Sequence, residues 1–325
     1  LTKGPNKSFS SSWKWWALRL LGVAIFAAFV YHLWRLTATL DWSVFAENLM
    51  RPERLVFLLF VLALMPVNWW LEARKWHPLI NAFLNYPFRR TWRTVIAGVS
   101  LSAATPNRIG EIGGRMTVAT KEEWPAVVAS SVLGSACQWV AFLLIAWPGL
   151  MWTAGDLLQG KISFPVQWLW PLGPALLALG FFLGKPAFSG LLRYLNGRWG
   201  YDTTQLDYGL TKVKSGLMYR ACGYACLRFV VYCTQLYLLL RFFGLALPLL
   251  KTLAGISGIY LVQAGIPMPP GANLVTRTEL GLLLWGDAPD VAAATVLAFA
   301  TLFVVNVLLP ALPGYWLIVE RNDSI

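Results

Sequence analysis

Runs of about 18 or more apolar residues recur along this chain, each long enough as a helix to cross a hydrocarbon layer of about 30 Å. Inside lipid a backbone must satisfy its own N–H and C=O groups, so runs of this length fold as helices. Only 13% of the 325 residues are charged and 57% are hydrophobic, whereas a soluble domain is about 25% charged. The chain therefore reads as an all-α polytopic membrane protein.

Full spans are predicted near 16–34, 54–73, 125–147, 167–184, 220–240 and 291–318. Residues 1–15 form a tail before a single membrane domain at 16–318, and 319–325 form a second tail. The first apolar run is too long for a signal-peptide core and has no clear small-residue cleavage site, so a retained span is expected. Many of the tryptophans cluster at predicted span ends, as at Trp13, Trp15 and Trp16, Trp69 and Trp70, and Trp168 and Trp170. Indole rings favour the headgroup zone, so these read as an aromatic belt.

The net charge of +12 does not point to nucleic acid, because lysine and arginine gather in short loops beside spans. That distribution sets topology and attracts anionic lipid. Lys3, Lys7, Lys14 and Arg19 place the N-terminus in the cytoplasm, as Arg74, Lys75, Arg89, Arg90 and Arg93 place the loop after the second span. The connector at 185–219, with Lys185, Arg193, Arg198, Lys212 and Lys214, is cytoplasmic as well. The loop at 148–166 is nearly uncharged and faces outside, so both termini are cytoplasmic in a protein of the plasma membrane. Cys137, Cys222, Cys226 and Cys233 lie in apolar segments without zinc or redox spacing, and packing accounts for them.

Two apolar stretches, 94–121 and 252–287, are broken by proline and glycine. Basic residues at both ends of the first, Arg93 and Lys121, predict a re-entrant hairpin of two half-helices entering from the cytoplasm. The second is predicted to enter from outside. A pair of short tilted spans in each place would leave the topology unchanged. "AGVS" at Ala97–Ser100 opens the first stretch and "AGIS" at Ala254–Ser257 the second. Span, hairpin and span thus recur in opposite senses, with repeats at about 54–147 and 220–318. About six full spans and two broken-helix hairpins in an inverted repeat are a transporter architecture.

The first break reads "TPNRIGEIGGRM". Pro106 removes a donor, and Gly110, Gly113 and Gly114 permit close backbone approach. If the helix resumes at about Ile109, Arg108, Glu111 and Arg115 fall at i, i+3 and i+7 along one face. Charges at depth are costly and usually face a cavity or one another. With Asn107 they are candidates to hold a lipid phosphate, with Glu111 pairing one arginine or binding a cationic group. A purely structural pin of the hairpin is the other reading. The second break carries Pro267, Pro269, Pro270 and Gly271, followed by Arg277 and Glu279 as further candidate binding residues. Those two are two positions apart and would not share a helix face. Glu72, Arg74 and Lys75, at the end of a predicted span, are expected to snorkel to the surface.

Pro106-Asn107-Arg108-Ile109-Gly110-Glu111, with Arg115 following, resembles the signature of the lysylphosphatidylglycerol synthase transmembrane-region family. "LEARKW" at Leu71–Trp76 and "PMPPG" at Pro267–Gly271, followed by an acidic residue, resemble the same family. The resemblance implies a flippase-like unit, which in the best-known member is fused to a cytosolic aminoacyltransferase. Other members stand alone or are linked to glycosyltransferase systems and polyprenyl lipids. This chain has Ala272 where a second glycine is common, its Glu279 lies further downstream, and no synthetase domain is seen.

The expected function is lipid translocation or lipid binding. The ligand would be an anionic phospholipid, an aminoacyl-phospholipid or a polyprenyl-phosphate-linked lipid. No cofactor or metal is expected, and neither a zinc, a nucleophile-elbow nor a phosphate-loop pattern is present. A membrane-embedded lipid-modifying transferase, or a scaffold for a partner glycosyltransferase or aminoacyltransferase, stands as the alternative. A homo-oligomer or a partner lipid-modifying enzyme is compatible with either.

Overall fold

Among the described residues the apolar runs fold as helices. A computed structural model of the chain describes residues 42–102, 109–159, 161, 165–199, 209–266 and 270–322. The predicted first span, Pro106, Asn107, Arg108, Pro267 and Pro269 lie outside the described residues. The helices are α1 (Trp42–Leu49), α2 (Pro52–Ile80), α3 (Phe88–Ser102), α4 (Ile109–Thr117), α5 (Lys121–Leu158), α6 (Leu172–Trp199), α7 (Ser215–Phe242), α8 (Leu249–Gly265), α9 (Pro270–Trp285) and α10 (Pro289–Ile318). Among the described residues there is no strand. Four helices, α2, α5, α7 and α10, are long and apolar enough to cross a membrane.

Local chemistry sets the helix ends. Proline stands in the first turn of α2 and α10, where a missing N–H costs nothing. Thr120 and Glu123 close a capping box at the start of α5. Gly244 and Gly286, with φ of 95° and 106°, follow α7 and α9 in the left-handed region that glycine alone enters freely.

Several boundaries differ from the sequence reading. The span predicted at 54–73 continues to Ile80, and the one at 125–147 continues to Leu158. Part of the predicted outside loop is therefore helix, and so is 185–199 of the predicted connector. Hydropathy falls at these points, yet packing keeps the backbone helical. The two broken stretches are each a pair of helices, α3 with α4 and α8 with α9.

The helices approach one another at glycines. A Cβ added at Gly114 would lie 2.4 Å from the Ala97 carbonyl oxygen, so α4 folds back directly onto α3. Both α5 and α10 contain a π turn, at Phe142–Ala146 and at Val304–Leu308. Each turn is followed by a Pro-Gly pair, Pro148-Gly149 and Pro313-Gly314. A Cβ on Gly149 would meet Ser257 Oγ at 2.2 Å and the Ala254 carbonyl at 2.7 Å. One on Gly314 would meet the Ile96 carbonyl at 2.3 Å and Ser100 Oγ at 3.2 Å. Thus α5 of the first half presses on α8 of the second, and α10 of the second presses on α3 of the first.

At the centre α2 lies along α7. Gln235 Nε2 donates to the Val61 carbonyl at 3.0 Å, and Asn306 Nδ2 donates to Gln235 Oε1 at 2.9 Å. Asn68 Nδ2 donates to Asn306 Oδ1 at 3.0 Å. This polar thread runs through an apolar core supplied mainly by α5, α7, α8 and α10. A second apolar cluster, including Trp69, Trp76, Val95 and Val127, joins α2, α3 and α5.

Candidate functional site

Because α2 stays helical past its hydropathy limit, Trp69, Glu72 and Trp76 fall on one face at i, i+3 and i+7, with Lys75 one turn beyond Glu72. Lys75 Nζ lies 2.7 Å from Glu72 Oε2. Arg115 of α4 reaches Glu72 Oε1 at 3.0 Å, and Arg228 of α7 reaches Oε2 at 3.1 Å. Arg115 also pairs with Glu111 one turn before it and donates to Ser131 Oγ at 3.2 Å. Aromatic faces complete the setting. The Arg115 guanidinium stands 4.6 Å from the Trp76 ring centre, and that of Arg228 stands 5.2 Å from Trp69. Trp76 Nε1 is itself held by Ser130 Oγ at 3.1 Å.

The second broken pair contributes a different cluster. Arg277 of α9 donates Nε to Gln263 Oε1 of α8 at 2.8 Å, and its Nη2 shares that acceptor. Gln263 Nε2 donates to Asn273 Oδ1 at 2.9 Å. The guanidinium lies 5.1 Å from the Tyr260 ring centre.

One cavity of about 540 Å³ joins both clusters. Among the described residues its charged lining is Lys75, Arg115, Arg228 and Arg277 against Glu72 and Glu111. Ions taken from water are costly unless paired, so an excess of cations around an internal cavity favours an entering anion. A separate apolar cavity of about 350 Å³ lies between α5, α7 and α8, with Ile145, Trp152, Val230 and Leu253 in its wall. Among the described residues no three His, Cys, Asp or Glu side chains gather as a metal site.

Of the residues singled out from sequence, Glu111, Arg115 and Arg277 line the cavity together. Glu279 is exposed and is not part of the lining, being two positions from Arg277 on a helix. Gly110, Gly113 and Gly114 lie in α4, and Pro270 and Gly271 begin α9. Glu72 and Lys75 do not snorkel. Each is only 1% exposed, because α2 runs on under α3 and α5 instead of ending at an interface. Trp69 likewise is buried beneath Arg228, whereas Trp70 is exposed as a belt residue is.

Glu72, Lys75, Arg228, Gln263 and Asn273 are lining residues that the sequence reading missed. An arginine in the middle of the 220–240 run is itself a signal, since ionisable groups inside spans mark function by default. No family model matches the chain, and no curated protein matches it.

Proposed function

We propose that this chain is a flippase-like lipid translocator or lipid-binding protein of the plasma membrane, with an inverted repeat of about six spans and two re-entrant hairpins and with both termini in the cytoplasm. The observation that carries the reading is the cavity between the hairpins, in which, among the described residues, four cations meet two carboxylates. A phosphate-bearing headgroup of an anionic phospholipid, aminoacyl-phospholipid or polyprenyl-phosphate lipid fits that chemistry. The neighbouring apolar cavity offers a place for part of an acyl chain. The likeness of Ile109-Gly110-Glu111 and Arg115 to the lysylphosphatidylglycerol synthase transmembrane region agrees with this reading.

The repeat is supported by packing as well as by "AGVS" and "AGIS". Each π turn and Pro-Gly pair closes on the Ala-Gly-x-Ser helix of the opposite half. Opposed halves around a midplane site are what alternating access requires.

A structural pin is the competing reading, and one observation favours it: Arg115 is 2% exposed and engages two carboxylates. Reconstitution into liposomes separates the two. Vesicles with fluorescent phosphatidylglycerol in both leaflets are treated with an impermeant bleaching agent. Translocation predicts bleaching of the inner leaflet with the protein and not without it. Equal bleaching in protein-free vesicles, together with loss of folding in Arg115→Gln, leaves the pin.

A further inference from the structure

The two broken-helix pairs that line the cavity hold their arginines differently. Arg277 stands as far along the chain after Arg115 as the π turn Val304–Leu308 stands after Phe142–Ala146. Each arginine follows a helix break and faces the same cavity. Their partners differ. Lys75, Arg115 and Arg228 each have a carboxylate oxygen within 3.1 Å. Arg277 is held by the carbonyl of Gln263, a neutral group, and among the described residues it has no carboxylate partner.

Gln263 therefore does one thing and not another. Its Oε1 fixes the Nε–Nη2 edge of the guanidinium, and its own amide is fixed in turn by Asn273. It does not cancel the charge. A guanidinium has five N–H donors in a rigid plane, so the Nη1 side keeps donors for a further acceptor. A cation that is oriented but not neutralised, at a cavity wall, is the arrangement of an anion receptor. The Glu72 cluster is the opposite: each of its cations already faces a carboxylate.

Resting on the reading of the cavity as an anion site, we infer that Arg277, oriented by Gln263 and Asn273, is the phosphate anchor, and that the Glu72–Arg115–Arg228 cluster is the scaffold that holds the cavity open. The ligand group is a phosphate, carried as an ester by a lipid headgroup or supplied as free phosphate.

The test uses the purified full chain in detergent micelles, with water-soluble dihexanoyl phosphatidylglycerol and inorganic phosphate as separate titrants in calorimetry. Wild-type protein should bind the first, and binding of inorganic phosphate as well would assign recognition to the phosphate group alone. Arg277→Gln should weaken binding about tenfold or more, the scale expected for losing a charge-assisted hydrogen bond. Arg277→Lys should fall between. Gln263→Glu keeps the acceptor for Nε and Nη2 and neutralises the fork, with the Asn273 amide turned so that its NH2 donates to the new carboxylate, so it should abolish binding while thermal unfolding stays cooperative; it decides the matter even if Arg277→Gln fails to fold. Wild-type affinity in Gln263→Glu and Arg277→Gln would overturn the anchor and leave the anion-binding cavity standing. A wild-type chain that binds neither titrant overturns both.

Discussion

Arg228 and Glu72 meet at 3.1 Å across the contact between α7 and α2, with the carboxylate 1% and the guanidinium 11% exposed. Glu72 also holds Lys75 of its own helix and Arg115 of α4. One carboxylate thus gathers cations from three helices. Desolvating each ion costs several kcal/mol, which only dense mutual pairing offsets.

Replacing Glu72 by Gln should therefore be severe. Lys75 and Arg228 would lose their described carboxylate, and Arg115 would retain Glu111 alone. Breaking a buried pair in this way costs about 3–5 kcal/mol. Denaturant unfolding in micelles, followed by near-ultraviolet circular dichroism, should show it. A midpoint equal to wild type would mean that water reaches the cluster.

The glycines make a graded series. Gly114→Ala and Gly314→Ala should be the most damaging, because their methyls would fall 2.4 Å from the Ala97 carbonyl oxygen and 2.3 Å from that of Ile96, both backbone atoms. Gly149→Ala should cost about 1–3 kcal/mol, the usual range for overpacking, because the Ser257 hydroxyl at 2.2 Å can turn away while the Ala254 carbonyl at 2.7 Å cannot. Gly113→Ala, where the nearest atom is Leu101 Cδ2 at 3.8 Å, should be harmless. Thermal melts of the four variants should preserve that order.

Asn306 bonds Asn68 on one side and Gln235 on the other. Asn306→Ala should cost about 1 kcal/mol, within the range of hydrogen bonds measured between membrane helices. Combined with Gln235→Leu it should cost less than the two changes separately, since both remove one shared bond. Additive losses in the double-mutant cycle would show that the thread does not act as a unit.

The proposed topology places Trp170 outside and Tyr194 inside, and both side chains are exposed. An impermeant maleimide applied to intact cells should label Trp170→Cys and should label Tyr194→Cys only after permeabilisation. Labelling of Tyr194→Cys in intact cells would contradict the inverted arrangement.

Hydropathy makes the helical class and the two broken stretches legible, because lipid allows a backbone few alternatives. Once the helix resumes at Ile109, the placing of Glu111 and Arg115 one turn apart follows from helical period alone. Glu72 and Lys75 were hidden for the opposite reason. Hydropathy marks where an apolar run ends, and α2 continues past that point as a helix buried inside the protein. Gln263 carries no charge to draw the eye, and its value depends on Arg277 fourteen positions away across a turn.

The Asn68–Asn306 bond closes over 238 positions of chain, and Gly314 seats itself on a hairpin made more than half the protein earlier. During synthesis, Glu72 gains Lys75 at once and Arg115 after 43 further residues, but Arg228 only when α7 has been made. The buried cluster is thus assembled stepwise, in the order the ribosome supplies its members. The outer wall of the first hairpin, at Ile96 and Ser100, stays uncovered until α10 arrives. A nascent chain must be sheltered through that interval, because exposed packing surface on unfinished intermediates is what drives misassembly.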